Sequence, residues 1–182
     1  MADFQIYLKK YLALPTAMGG SASYSESYEA RNITSFDQQI TIPVQAFAMP
    51  ESASDDAILT KAEGNTEKIT FSWIIKDEDV SPARNASGTP QNTWTRASDN
   101  TTWDPRTHEG AYVYFINTFE KEGISDGLAY EFQMWDDSNN KNLISRYGVI
   151  SRIGIQKGAN DPATYNATIE FQVGTDVTVD DE

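Results

Sequence analysis

The stretch Glu67-Lys-Ile-Thr-Phe-Ser-Trp-Ile-Ile-Lys76 decides the fold class of this chain. Large apolar side chains recur at every second position, at Ile69, Phe71, Trp73 and Ile75. This period-2 pattern predicts a β-strand with one buried face. Directly before it, Glu63-Gly-Asn-Thr66 favours a tight turn, because glycine and asparagine tolerate positive φ. Residues 57–62 lead into this turn and would supply the other strand of a hairpin.

The same alternation predicts strands on both sides of this hairpin. A first short strand contains Phe4, Ile6 and Leu8, and a second covers 38–48, where Pro43 lacks a donor and suggests an edge strand or a bulge. Three more strands are expected at 128–135, 143–156 and 163–173, separated by polar turns. Because they follow one another with short connections, they should form an antiparallel meander.

One segment has the pattern of an α-helix. Asp104 is placed to cap it, Pro105 fits its first position and Gly123 its end. Apolar side chains at i, i+3, i+4 and i+7 form a stripe, at Tyr112, Phe115, Ile116 and Phe119. An amphipathic helix of about four turns must pack on a sheet or on a partner.

Two long segments, 15–36 and 77–103, show neither pattern. Each exceeds the ~12–15 residues of an ordinary unstructured connection. Their aromatic residues favour ordered contact surfaces over disorder; these candidate subunit contacts are Tyr24, Tyr28, Trp94 and Trp103. We therefore expect a single domain over 1–182, with 15–36 and 77–103 as extended segments and 177–182 as a short acidic tail.

The composition excludes several classes of function. The chain has 182 residues, 27 acidic against 14 basic, and a formal net charge of −13. Such a charge disfavours sequence-independent binding to nucleic acid, which requires a positive surface. Without cysteine, disulfides, thiolate zinc sites and cysteine nucleophiles are impossible, and the single histidine, His108, rules out multi-histidine metal sites within one chain. No apolar run is long enough for a membrane span.

The sequence contains no catalytic or metal-binding motif. His108 precedes Tyr112 by one helical turn, where packing is a simpler role than catalysis, and there is no Gly-x-Ser-x-Gly elbow. A pair of glycosidase carboxylates cannot be identified among so many acids. The acidic runs 77–79 and 136–140 lack the spacing of a calcium loop. We expect no catalytic residues, no metal, no cofactor and no enzyme activity.

Three stretches resemble the tail tube proteins (major tail proteins) of long-tailed viruses of bacteria and archaea. These are the hairpin 62–73, the helix 112–121 with the exit turn 123–126, and the closing run 150–171. The resemblance covers 57–76 and 107–174. It implies a mainly antiparallel β-sandwich or partly closed barrel, flanked by one α-helix and carrying long loops or arms.

The resemblance also implies a function. Six copies would close a ring by head-to-tail contacts, and rings would stack into the hollow tube of a virion tail that conducts DNA during ejection. Free sheet edges would then be covered by neighbouring subunits, and an acidic wall would repel phosphates. The implied partners are further copies of the chain, tape-measure, tail-terminator and baseplate proteins, and viral double-stranded DNA that passes without specific binding. The protein would be made in the host cytoplasm, would reside in the virion and would need no membrane.

A second reading stays open. The chain could be a soluble β-sandwich module for carbohydrate binding or adhesion, in which Trp94 and Trp103 stack on sugar rings. The acidity also has a second explanation, because carboxylates keep protein surfaces hydrated in a salt-loving host.

Overall fold

The computed structural model describes residues 4–13, 23–41, 44–48, 57–61, 66–119, 130–136, 139–158 and 163–174. Within them lie one helix and twelve strands: β1 Phe4–Ala13, β2 Ser23–Ala30, β3 Ile33–Thr41, β4 Val44–Ala48, β5 Ala57–Lys61, β6 Thr66–Ile75, β7 Ala83–Asn85, β8 Trp94–Thr95, β9 Thr102–Trp103, α1 His108–Phe115, β10 Tyr130–Asp136, β11 Lys141–Lys157 and β12 Tyr165–Val173. The predicted class, mainly antiparallel β with one flanking helix, is confirmed.

Eight strands form one antiparallel sheet in the order β3-β6-β12-β11-β10-β1-β2-β7. The predicted meander is its centre, since β10, β11 and β12 are consecutive neighbours. The ladder does not close into a barrel, because β3 and β7 stand at opposite ends of this order.

The long strand β11 divides the sheet into two layers. Its residues up to Gly148 pair with β10, and its residues from Gly148 onward pair with β12. The first layer thus consists of β3, β6, β12 and the second half of β11; the second layer consists of the first half of β11 with β10, β1, β2 and β7. The two layers face each other as in a β-sandwich.

A second crossing joins the layers at Asn32. Only Arg31 and Asn32 connect β2 to β3, although these strands lie near opposite ends of the sheet order. Two residues span at most about 10 Å, so the sheet must curl until its ends approach. Asn32 makes the bend with a φ of 53°, and its carbonyl accepts a hydrogen bond from the Ile74 amide at 3.2 Å.

Aromatic side chains fill the space between the layers. Phe71 and Trp73 of the first layer meet Phe132 and Tyr28 of the second, at ring-centroid distances of 5.6 and 5.9 Å. The alternation of β6 is as predicted, with Ile69, Phe71, Trp73 and Ile75 all buried. This core sets the spacing of the two layers and the orientation of their outer faces.

The helix closes one side of the core, but it begins later than its sequence pattern suggests. Thr107, rather than Asp104, is its N-cap, and the Thr107 hydroxyl accepts a hydrogen bond from the Gly110 amide at 3.1 Å. The segment 104–106 forms a turn instead, and its path lies so close to Gly110 that a Cβ atom there would be 2.0 Å from the Asp104 carbonyl oxygen. After Phe115 the helix continues as a π-helical turn to residue 119; the predicted end at Gly123 lies outside the described residues.

Of the two extended segments of the prediction, 15–36 requires correction where it is described, whereas 77–103 is ordered, as its aromatic residues indicate. Residues 23–36 form β2 and the start of β3, inside the sheet. Residues 77–103 form an ordered connection between β6 and the helix, and this connection contains β7 and the hairpin of β8 and β9. Residues 15–22 and the tail 177–182 lie outside the described part.

Candidate assembly surface

The clearest surface for association is the free edge of β3. One side of β3 pairs with β6 and the other faces no strand in the described ladder. Unpaired backbone donors and acceptors along such an edge are a template for pairing with another chain. Near the end of the strand, Ile40 is 56% exposed, the highest value among the large apolar side chains of the described residues. An exposed edge with an apolar side chain favours contact with a partner.

Beyond this edge the chain continues as a two-stranded ribbon. β4 pairs with β5 from Val44 opposite Lys61 to Ala48 opposite Ala57, and this ribbon is separate from the main sheet. It follows β3 and precedes β6, whose ladder ends at Thr41 opposite Thr66. Each of its strands has five residues and so spans roughly 16 Å. An isolated two-stranded ribbon is at best marginally stable in water, so this arm needs a surface to pair with.

The outer side of the first layer is a polar face. Most of its side chains are hydroxyl, amide and charged groups on four neighbouring strands, namely Asp37, Gln39, Lys68, Thr70, Ser72, Thr168, Glu170, Gln172, Arg152 and Gln156. The apolar residues Ile74 and Val149 lie on the same side, opposite Asn166 and Gln172. Ser72 and Thr168 are joined across the strands by a hydrogen bond of 2.7 Å between their hydroxyl oxygens. The four charged members of this set have two charges of each sign, so the polar face carries no net charge.

Glu170 is the centre of the charged part of the polar face. Its carboxylate lies 2.7 Å from the Lys68 Nζ and 3.3 Å from the Arg152 Nη1. The hydrogen bond from Lys68, with a smaller contribution from Arg152, lowers the pKa of Glu170 below its usual value. Arg152 nevertheless remains 74% exposed, so the guanidinium is held in place with most of its surface in contact with solvent.

The four predicted contact residues have different surroundings. Tyr28 is 2% exposed and packs against Trp73, Phe115 and other core rings. Burial raises the pKa of the Tyr28 hydroxyl well above its usual value. Its own chain therefore encloses Tyr28 and leaves little of this side chain for contact with another subunit. Tyr24 is half-buried, and its hydroxyl donates to the Glu131 carboxylate while Lys9 lies over its ring.

Trp94 and Trp103 lie opposite each other in the β8–β9 hairpin. Trp94 packs edge-on against Tyr114 of the helix at 5.4 Å, and Arg96 lies 5.8 Å from the centre of the Trp103 ring. The structure thus pairs these two tryptophans but separates them from Tyr24. For Tyr24, Trp94 and Trp103, contact with another subunit stays a prediction.

The β3 edge and the β4–β5 ribbon are the surfaces that the sequence reading missed. Pro43 had indicated an edge strand or a bulge, which agrees with β3 as the outermost strand of the first layer. The pattern of 38–48, however, predicted one continuous strand. The predicted hairpin of 57–62 with 67–76 is also wrong, because β5 pairs with β4, while β3 and β12 occupy the two sides of β6. No local signal revealed the β4–β5 ribbon, because the pairing of Thr41 with Thr66 is a long-range contact that only the structure shows.

Sites for other chemistry are not found in the described residues. No group of three or more His, Cys, Asp or Glu side chains there could hold a metal ion. His108 Nδ1 lies 2.7 Å from the Asp77 carboxylate, next to the start of the helix. Within the same residues, no helix has both the length and the apolar character to cross a membrane.

Known proteins were compared with the chain at the levels of sequence and structure. No family model matches it, and no curated protein is similar in sequence. The chain is similar in structure to the tail of a gene transfer agent (GTA) particle.

That solved tail belongs to an empty GTA particle and has C6 symmetry. The matching chain of the tail is 13% identical to this protein, with a TM-score of 0.42. The match covers 93% of this chain and 92% of the chain in the tail. A chain of the virion of a native GTA particle is 15% identical, with 95% and 92% covered and a TM-score of 0.42.

Proposed function

We propose that this protein is a structural subunit of a virion tail tube, not an enzyme. Copies associate head to tail through the β3 edge and form a ring, and the β4–β5 ribbon of one copy docks on a neighbour. The observation that carries the proposal is the continuity of these two features: a free edge strand leads directly into a ribbon that pairs with no strand of the main sheet.

The direction of association follows from the two ends of the sheet. The β3 end has a nine-residue edge, whereas the β7 end has only three residues. A contact between unlike surfaces is heterologous, and such contacts close into rings when the rotation between copies divides a full turn. Sixfold closure and stacking of rings are what the sequence resemblance implies.

The polar face is our candidate for the wall of the channel. If β3 of each copy meets the next copy, the outer sides of the first layers join into one surface. Its hydroxyl and amide groups hydrogen-bond to water, and its charges balance, so it offers no net attraction to DNA phosphates. From the acidic composition we expected a wall that repels DNA phosphates. On this face, the lack of adhesion would instead come from the balance of positive and negative charges. Tape-measure, tail-terminator and baseplate proteins are further partners under this proposal.

The test compares two matched substitutions of exposed apolar residues. Ile40→Lys places a charge at the β3 edge, whereas Val80→Lys changes a residue that is 42% exposed outside the main sheet. Negative-stain imaging and analytical ultracentrifugation of the purified proteins, at low and at multimolar salt, should show rings or tubes for the natural sequence and for Val80→Lys. Ile40→Lys should remain monomeric with an unchanged circular dichroism spectrum. A natural protein that stays monomeric at high concentration in both salts would contradict the proposal.

The carbohydrate-binding alternative loses support from the position of the tryptophans. A sugar platform needs an aromatic face open to solvent, but Trp94 contacts Tyr114 and Arg96 lies close to the ring of Trp103. No observation on the described residues favours this second function.

A further inference from the structure

The two ion pairs of Glu170 suggest a role other than stabilisation of the sheet. Lys68 of β6 and Arg152 of β11 flank the central strand β12, and both point their cations at the same carboxylate. Ion pairs at exposed sites contribute little to stability, and the side chains of Lys68 and Arg152 are 41% and 74% exposed. Their arrangement therefore calls for a reason other than holding the sheet together.

Without Glu170, the same two cations would form a phosphate-binding pair. Arginine presents a planar fork of donors that matches phosphate oxygens, and a neighbouring lysine adds a point charge. The surroundings would assist, because the hydroxyl group of Thr70, which lies opposite Glu170 in the sheet, can donate to phosphate oxygens. The polar face thus contains the elements of a nucleic-acid-binding surface. Glu170 is the carboxylate that pairs with both cations, whereas the other carboxylate of the face, Asp37, accepts a hydrogen bond from Gln39.

We propose that Glu170 acts as a charge mask, which occupies Lys68 and Arg152 and so prevents the polar face from binding the phosphates of double-stranded DNA. This inference rests on the proposed function, because a channel for DNA is where such a mask matters. The mask leaves the face hydrophilic, so water is retained between the wall and the passing duplex, and it leaves no pair of free cations at which a phosphate could be held.

The experiment replaces the carboxylate by its uncharged isostere, Glu170→Gln, in the full chain. The matched control is Asp99→Asn, which makes the same change in net charge and also releases an arginine, Arg96, but on the β8–β9 hairpin. Binding is measured by fluorescence anisotropy of a short labelled DNA duplex as salt is raised. Two released cations that contact two phosphates should make the affinity of Glu170→Gln fall about 12-fold between about 50 and 200 mM salt.

The inference predicts that Glu170→Gln binds the duplex at low salt at least about 10-fold more tightly than the natural protein, and that Asp99→Asn does not. The double variant Glu170→Gln/Arg152→Gln should lose most of the gain. Equal binding by Glu170→Gln and the natural protein would overturn the inference, as would an equal gain in Asp99→Asn, which would reflect net charge alone.

Imaging of the same preparations separates this inference from the proposed function. If Glu170→Gln binds DNA but no preparation forms rings or tubes, the mask is supported and the tail-tube function fails. If tubes form but Glu170→Gln does not bind DNA, the mask is overturned and the function stands. Circular dichroism of each variant excludes unfolding as a cause of either result.

Discussion

Gly148 of β11 approaches Gln172 of β12 so closely that a Cβ atom on Gly148 would lie 2.1 Å from the Gln172 carbonyl oxygen. Gly148 is also the residue at which β11 changes partners, from Tyr130 of β10 to Val173 of β12. A glycine is thus required where the two layers diverge, because any side chain would separate the strands there.

The first prediction concerns this glycine. Gly148→Ala should lower the free energy of unfolding by roughly 2–4 kcal/mol, since the added methyl group meets backbone that cannot rotate away. Urea denaturation followed by circular dichroism measures the loss. Gly154→Ala is the matched control on the same strand, where the nearest atom to a Cβ is 4.0 Å away. Equal losses in the two variants would contradict the role assigned to Gly148.

The second prediction distinguishes the two candidate helix caps. Thr107→Ala should cost about 1 kcal/mol of stability, because the Gly110 amide loses its acceptor at the helix N-terminus. Asp104→Ala should cost less than half as much, since the Asp104 carboxylate pairs with exposed Arg106. Thermal unfolding at neutral pH provides the comparison. A larger loss for Asp104→Ala would restore the cap predicted from the sequence.

The third prediction is a loss of stability in acid through Asp77. The His108 amide and imidazole hydrogen-bond to this carboxylate and lower its pKa in the folded protein. A carboxyl whose pKa is lower when folded stabilises the protein above its unfolded pKa of about 3.9, and this contribution disappears as the pH falls through the folded pKa. Asp77→Asn should therefore flatten the decline of the melting temperature below about pH 5. Parallel melting curves for the two proteins across that range would refute the contribution.

The fourth prediction separates packing from binding at Trp94. Trp94→Ala should lower the free energy of unfolding by about 2 kcal/mol, because the indole ring covers Tyr114. Val80→Ala, at an exposed apolar residue, should change stability by less than about 0.5 kcal/mol. Denaturant titrations measure both. Quenching of tryptophan fluorescence by a panel of oligosaccharides, absent in Trp94→Ala, would instead support the carbohydrate-binding module.

The fifth prediction tests the ribbon. Replacing residues 42–65 by Asn-Gly joins the partners Thr41 and Thr66 through a two-residue hairpin turn. The shortened protein should fold with a similar melting temperature, because the main sheet and the core remain, yet it should not polymerise in negative-stain images. The control replaces only 49–56 by Asn-Gly and joins Ala48 to Ala57; it keeps β4 and β5 and should still polymerise. Unimpaired tubes from the shorter protein would exclude the ribbon from assembly.

Local patterns in the sequence are sufficient to predict the strands at the centre of the fold. The strands β6, β10, β11 and β12 follow from alternating apolar residues, because each has one face against the core. The sequence also predicts the helix, but it predicts the wrong residue as the N-cap. Asp104 before Pro105 is a strong local signal for a cap, and the competing constraint, the close approach of the Asp104 carbonyl to Gly110, depends on tertiary contact.

Strand β2 was missed for a different physical reason. Its sequence, Ser-Tyr-Ser-Glu-Ser-Tyr-Glu-Ala, is polar, and Glu29 within it is buried to 1% exposure. Burial of this carboxylate is possible because Arg31 and Arg84 both pair with it. Arg84 is more than fifty residues away in the sequence, so no local pattern reveals the pair. The polar sequence consequently predicts an extended segment outside the sheet.

The candidate surfaces were only partly accessible from sequence. The aromatic residues of 77–103 indicated order, and the segment is indeed ordered, but Trp94 contributes to packing of its own chain. The free edge of β3 depends on the strand order of the sheet. That order can be worked out only when the two crossings between the layers, along β11 and at Asn32, are known.

The shared strand β11 has a mechanical consequence. A continuous backbone of seventeen residues, roughly 55 Å when extended, belongs to both layers. A force that shears the layers is carried by covalent bonds along β11 and by the ladders on its two sides. We therefore expect the subunit to resist shear between the layers and to bend mainly about Gly148.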